Sequence, residues 1–315
     1  MASSLIKRLL ISLLTLFSVL ILTFLLLHLI PGGPFDQERE FPPEIKQNLY
    51  QKYGLTQRGD QNFWIWFAGD LKAYLSYLKK GELGPSLKFR DRDVVEIIAK
   101  AVVPSMELAA GALSLALVFG VLAGLKAAAR PEGLIDRFLK LAGPVVLSLP
   151  SFVKAVLLIM IFSFWLKCLP PALWEGIRSS LLPVLTLALV PLAYFAQLTR
   201  AGVLSQLRQD YVKTARAKGV PEAAILLKHA LKNAATPILT VMGPMTAALI
   251  TGSFVVETIF SIPGLGRHFV TAVIDRDYFL VMGITLFYAS ILIFLNWMVD
   301  VGYLWLDPRM RKSRG

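Results

Sequence analysis

Residues 210–222 read Asp210-Tyr211-Val212-Lys213-Thr214-Ala215-Arg216-Ala217-Lys218-Gly219-Val220-Pro221-Glu222. This polar, basic segment lies between two long apolar runs. Its first part is a good helix former, with alanines set among long basic side chains. Gly219 supplies the left-handed conformation that ends a helix. Pro221 suits the first turn of the next one. From Ala223 to Leu231 apolar residues recur at helical spacing (Ile225, Leu226 and Leu231), with Lys228 and Lys232 beside them. Helix, break, helix makes a compact elbow. On the inner side of a membrane protein such an elbow is a docking surface for another chain.

Composition places the chain in the membrane class. Of its 315 residues 56% are hydrophobic and only 17% are charged, and mean hydropathy is +0.61. These values lie outside the range of an ordinary soluble domain. The net charge of +12 does not point to nucleic acid, because the basic residues gather in short loops between apolar runs. The single cysteine, Cys168, rules out an intrachain disulfide and a cysteine metal cluster. His28, His229 and His268 are too dispersed for a local metal motif.

Six candidate spans follow from the apolar runs: Leu9–Ile30, Ala101–Leu125, Phe138–Leu166, Leu181–Thr199, Ile238–Val256 and Val281–Leu304. The first follows Lys7-Arg8 and superficially resembles a signal peptide. Its apolar core exceeds the roughly 7–15 residues of such a segment and suffices to cross a bilayer. It reads as an uncleaved span. Pro144, Pro150 and Lys154 interrupt the third; membrane helices tolerate proline where neighbours re-satisfy the backbone.

Orientation follows from the short loops. Lys126, Arg130, Arg137 and Lys140 lie between spans two and three. Arg200, Arg208, Lys213, Arg216, Lys218, Lys228 and Lys232 lie between four and five. Arg309, Arg311, Lys312 and Arg314 follow the sixth. The opposite short loops hold only Lys167 and Arg178, then Arg267 and Arg276. Both termini are therefore expected in the cytoplasm and residues 31–100 outside, with Gln57 reachable from outside and Lys312 not. In that outer segment Pro31-Gly32-Gly33-Pro34 makes a rigid exit from the first span. A helix is expected from about Pro43 to Tyr53, and another around Phe63–Lys79. Trp64, Trp66, Phe67, Tyr74 and Tyr77 on the latter suit either the membrane interface or the core of a small outer subdomain.

Several segments together resemble one family. Leu27-His28-Leu29-Ile30-Pro31-Gly32-Gly33-Pro34-Phe35 resembles its exit from the first span. Gly252-Ser253-Phe254-Val255-Val256-Glu257-Thr258-Ile259-Phe260-Ser261-Ile262-Pro263-Gly264-Leu265-Gly266 resembles its signature after the fifth. Asp275-Arg276-Asp277-Tyr278, Asn296 with Asp300, and Asp307-Pro308-Arg309 match as well. The family is the permease subunits of ATP-binding-cassette importers, in the oligopeptide, dipeptide and nickel group. The general permease loop carries Glu-Ala-Ala, then Gly, then Ile-x-Leu-Pro. Aligned on Gly219, only Ala215, Gly219 and Leu231 keep that pattern. The peptide-group variant is matched, in Thr214-Ala215-Arg216-Ala217-Lys218-Gly219 and His229-Ala230-Leu231-Lys232. Pro34-Phe35-Asp36, Glu38-Arg39, Pro42-Pro43-Glu44 and Gly84-Pro85-Ser86-Leu87-Lys88 are more similar to the B-type subunit of oligopeptide permeases than to a nickel permease.

The resemblance implies an all-α integral membrane protein with six transmembrane helices in the type I ABC importer permease fold. An extracytoplasmic segment would lie between helices one and two. Residues 1–100 would hold the first helix and that segment, 101–308 a permease core with five helices, and 309–315 a basic cytoplasmic tail. It implies a multi-pass protein of the bacterial inner membrane that forms half of a pathway for peptides. A nickel or other small-solute importer is the alternative. The expected partners are a second, homologous permease chain, two ATP-binding cassette subunits and an extracytoplasmic peptide-binding protein, with lipid around them and no nucleic acid. No G-x-x-x-x-G-K-[ST] occurs, so this chain holds no P-loop; ATP and magnesium belong on the ATPase partners, and no cofactor is expected here. Coupling is expected through residues 205–235, above all Lys213, Thr214, Ala215, Arg216, Lys218, Gly219, Pro221, Glu222 and His229.

Other residues carry open alternatives. Lys154 lies within the third span, where a charge is costly and points to function by default. It faces the pathway and meets a peptide carboxylate, or it pairs with an acid of a neighbouring chain, or it snorkels. Glu257, with Pro263 and Gly264 after it, suits a gate or receptor contact, or a polar helix end. Glu107 reads as interfacial. Gly120 and Gly124 suit close helix packing. His229 reads as a polar face residue beside Lys228 sooner than as a ligand. A secondary transporter would show internal repeats and several midplane ionisable groups; a membrane hydrolase would need a nucleophile and base or a metal pair. Neither pattern is present in the spans.

Overall fold

A computed structural model describes residues 2–30, 32–36, 42–56, 62–89, 91–251 and 253–306. Gln57, Lys312, Glu38-Arg39 and Asp307-Pro308-Arg309 lie outside the described residues. The helices are α1 (Ala2–Leu29), α2 (Pro43–Tyr53), α3 (Phe63–Lys79), α4 (Val94–Ala129), α5 (Leu134–Ser148), α6 (Ser151–Leu158), α7 (Ile177–Leu207), α8 (Asp210–Ala217), α9 (Glu222–Ala224), α10 (Lys232–Thr251), α11 (Phe254–Ile259), α12 (Leu265–Ile274) and α13 (Tyr278–Leu306). Ile159–Trp165 and Ile225–Leu231 are π-helical. Among the described residues no strand forms; Pro85 and Asp93 make an isolated bridge.

Five helical stretches are long and apolar enough to cross a membrane: Lys7–Leu29, Val94–Ala129, Ile177–Leu207, Glu222–Ile259 and Tyr278–Met298. The third expected span is a broken one. Leu134–Ser148 and Ser151–Trp165 meet at a bend of 113°. Pro150 causes it. Leu149, before the proline, is pushed to the extended φ −72°, ψ 130°, and α6 starts directly after it. The span expected over Phe138–Leu166, with Pro150 among its interruptions, is thus a helix pair bent at that proline. Other helices are longer than their apolar runs. The fifth span begins at Glu222 and not at Ile238, because the amphipathic stretch after Pro221 runs on into it without a break.

The chain divides into two compact units, residues 1–103 with 263–293, and 104–262 with 294–315. In the first, the end of α1 packs on α2, α3 and the starts of α4 and α13 around Leu20, Phe24, Tyr53, Tyr74 and Phe279. The aromatics of α3 divide by face. Tyr74 is buried in this core with Phe67 and Tyr77 packed against it, and Trp66 is buried beside His28, whereas Trp64 is 64% exposed. Most of them therefore serve the core of this unit. Buried Asp277 draws loop and helix together. Its carboxylate accepts from Ser86 Oγ, from the Lys88 amide at 3.2 Å and from the Leu280 amide at 3.1 Å in the first turn of α13. Burial pushes this carboxyl up from its ordinary range, and those hydrogen bonds pull it partly back.

A second buried pair in this unit involves His28 and Asp70, each 3% exposed. His28 Nδ1 lies 2.9 Å from the Phe24 carbonyl, which only accepts, so Nδ1 carries a proton. Nε2 lies 3.1 Å from Asp70 Oδ2, while Asp70 Oδ1 accepts the Thr56 amide at 2.5 Å. The rings of Phe24, Tyr278 and Trp66 surround the imidazole, with centroids 4.1, 4.8 and 5.3 Å away.

In the second unit α7 is the central helix, packed against α5, α6 and α10. Gly120 and Gly124 let α4 approach its backbone: a Cβ at Gly120 would lie 2.8 Å from the Leu192 carbonyl oxygen, and one at Gly124 2.5 Å from that of Ala196. Packing within the chain accounts for both glycines. Glu107 is exposed on the same helix.

Candidate functional site

Helix α7 ends at Leu207, and Gln209 is extended at φ −77°, ψ 153° before α8 begins. Asp210 in the first turn and Arg216 in the last suit the helix dipole of α8. Its inner face is apolar. Val212 and Ala215 are buried with Ile225, and Leu207 and Val220 pack against them. This small core fixes α8 to the start of the fifth span. The chain reverses at Gly219, whose φ is +76°. The Gly219 amide donates to the Arg216 carbonyl at 3.0 Å and the Val220 amide to that of Ala215 at 3.1 Å, so the helix end is capped by its own backbone. Nothing lies within 4 Å of where a Cβ on Gly219 would sit. Its backbone conformation, not crowding, is what suits glycine.

The elbow closes on its outer side through ions. Arg216 grips Glu222 with Nη2 on Oε1 at 2.6 Å and Nε on Oε2 at 3.2 Å. This fork spans the Gly219 turn and ties α8 to α9. Lys213 Nζ donates to Asp210 Oδ1 at 2.8 Å, and Thr214 Oγ1 to the Asp210 carbonyl at 3.0 Å. Tyr211 adds a second tie, its hydroxyl accepting from Asn233 Nδ2 at 3.1 Å and lying 2.9 Å from Gln206 Oε1. Of the sequence-derived coupling residues, Lys213, Thr214, Arg216, Lys218, Gly219, Pro221 and Glu222 are exposed together on this elbow. Ala215 is its buried floor. His229 is half-buried two turns on, its carbonyl 3.4 Å from the Tyr211 hydroxyl.

The second arm departs from simple helical spacing. Residues 225–231 are π-helical, so the buried face passes from Ile225 to Ala230, five residues on. Leu226 and Leu231 are half-buried and Leu227 is 57% exposed. The extra residue in this turn is what the apolar pattern did not foretell.

Lys154 is buried, at 4% exposure, and lines a cavity between α6, α7 and α10. Glu257 is fully buried; it accepts from Ser105 Oγ at 2.8 Å and Ser253 Oγ at 2.6 Å, which ties α11 to α4. Pro263 is exposed and Gly264 buried, the latter leading into α12.

Sequence reading missed an ion cluster between α5 and α7. Asp136, wholly buried at its side chain, is gripped by Arg200 through Nε and, at 3.2 Å, through Nη2. It also accepts the Glu132 amide at 2.9 Å, and Lys140 Nζ lies 3.1 Å from it. The available signal was an acid four residues before a lysine inside a basic loop.

The family described as "Binding-protein-dependent transport system inner membrane component" matches residues 116–312. The oligopeptide transport system permease protein OppB of Haemophilus influenzae is 37% identical over 307 residues, covering 97% of this chain and 98% of its own. The dipeptide transport system permease protein DppB of Bacillus subtilis is 38% identical over 311 residues, covering 99% and 98%. Among solved structures, an amino acid ABC transporter crystallised with histidines superposes with a TM-score of 0.53 at 18% identity, over 72% of this chain and 96% of its own. The inward-facing MetNI methionine ABC transporter gives 0.54 at 14%, over 68% and 97%. These last two speak to the fold alone.

Proposed function

Because the chain belongs to the family of inner-membrane components of binding-protein-dependent transport systems, the permeases of ABC importers, we propose that it forms half of a peptide translocation pathway and takes its drive from a separate ATPase at the 205–235 elbow. The observation that carries this reading is the elbow itself. An exposed helix and turn, rich in basic side chains, stand on a small core continuous with a membrane span. Such a surface accepts a partner and passes its movement inward. A homologous second permease completes the pathway, two ATP-binding cassettes hold ATP and magnesium, and an extracytoplasmic receptor delivers the peptide. The near full-length relatives that carry oligopeptide and dipeptide names support peptide as cargo. Alternating access then follows from a population shift that nucleotide imposes on the ATPase pair.

Uptake measured with the whole importer tests the cargo. Unlabelled di-, tri- and longer peptides are expected to compete with a labelled peptide, and nickel is expected not to. Competition by nickel alone would replace peptide with the metal as substrate.

The same reading sets the chain in a bacterial inner membrane with both termini and the elbow in the cytoplasm. In a chain whose Cys168 is replaced by serine, Glu82→Cys is expected to react with an impermeant maleimide in intact cells. Lys218→Cys is expected to react only after the cells are opened. Both positions are exposed. The reverse pattern would invert the topology.

A further inference from the structure

Lys154 sits in the first turns of α6, just beyond the bend at Pro150. Its side chain is turned back over that bend. Nζ lies 3.5 Å from the carbonyl oxygen of Val146, the only hydrogen-bond acceptor it has among the described residues. The bend explains why this carbonyl is available. Its normal helical donor would be the amide of residue 150, and proline has none. A 3.5 Å contact to a neutral oxygen is at the outer limit of a hydrogen bond and leaves the ammonium charge uncompensated.

The cavity that Lys154 lines is about 160 Å³ in volume. Ser151, Thr186, Val190, Met245 and Leu249 contribute to its wall, and no acidic side chain does. The Thr186 hydroxyl donates to its own helix, at Leu182, over 2.7 Å. Lys154 and Ser151 are therefore the groups that can donate into the cavity. A buried cation beside an apolar hollow, at the start of a helix and with no acid in the wall, has the makings of an anion site. The apolar remainder suits a side chain carried by the same ligand.

We propose that this cavity receives the C-terminal residue of a peptide in transit, with Lys154 bound to its α-carboxylate and the α6, α7 and α10 wall holding its side chain. The proposal rests on the reading of the chain as a peptide permease. It makes a free C-terminal carboxylate part of what the membrane-spanning subunit selects.

Uptake of one labelled tripeptide and of its C-terminal amide, measured in cells holding the complete importer, tests this. The wild type is expected to favour the free acid. Lys154→Met is expected to lower free-acid uptake about tenfold and to leave amide uptake within twofold, so that the preference disappears. Lys154→Arg is expected to retain it. Co-purification of the other subunits is expected to be unchanged in both variants. A preference for the acid that survives Lys154→Met overturns the proposal. So does an equal fall for both peptides, or a loss of co-purification, which would assign Lys154 to holding the assembly together. If the wild type imports neither peptide, the peptide reading itself fails and the proposal falls with it.

Discussion

In cells holding the complete importer, ATP-driven uptake is expected to fall at least tenfold when Gly219 becomes valine, while the chain still inserts in the membrane. Tenfold corresponds to about 1.4 kcal/mol. The φ of +76° at Gly219 costs a non-glycine residue roughly 1–2 kcal/mol, and a β-branched residue is an outlier there. Because space around the position is open, valine acts through the backbone alone. The chain relieves strain by leaving the left-handed region. That movement re-aims α8 and pulls Arg216 from Glu222. Co-purification of the ATPase should drop with uptake. Gly219→Asn is the control, since asparagine tolerates this conformation; it should keep most of both. Normal ATPase association and normal uptake in Gly219→Val would remove the turn from the coupling mechanism.

The second large effect concerns stability. Asp136→Ala leaves Arg200 and Lys140 facing each other where a carboxylate had been. Removing one partner of a buried ion pair typically costs about 3–5 kcal/mol. Arg200 is 23% and Lys140 41% exposed at the side chain, so water recovers part of that, and about 2–3 kcal/mol is a fair expectation. A lowered thermal midpoint in detergent and a poorer monodisperse yield are the readouts. Combining Asp136→Leu with Arg200→Met should restore much of the loss, because no charge is then stranded. An unchanged midpoint in Asp136→Ala would show that the pair contributes nothing.

The features legible in the sequence were those decided by neighbours along the chain. Gly219 and Pro221 mark the turn through backbone preferences that need no tertiary information. Pro150 marks the weak point of the third span for the same reason, though not the 113° that results. Gly120 and Gly124, one turn apart, announce a close helix crossing. What was hidden depends on distant partners. Asp136 meets Arg200 64 residues away, His28 meets Asp70 at 42, and Ser86 meets Asp277 at 191. No periodicity encodes such pairings. The π-helical turn after Glu222 was hidden for another reason: it inserts one residue into a pattern whose 3.6-residue period was being assumed.

Helix continues without a break from Glu222 through the π-helical turn to Thr251. At about 1.5 Å per residue this is a lever roughly 45 Å long. One end is held by the Arg216 fork, where the partner is proposed to push. No relay of side chains is needed to carry the stroke across the bilayer. Met245, Ala248 and Leu249, in the wall of the Lys154 cavity, ride on the far arm of that lever. A stroke delivered at the elbow would therefore change the width of the cavity, gripping or releasing whatever lies in it.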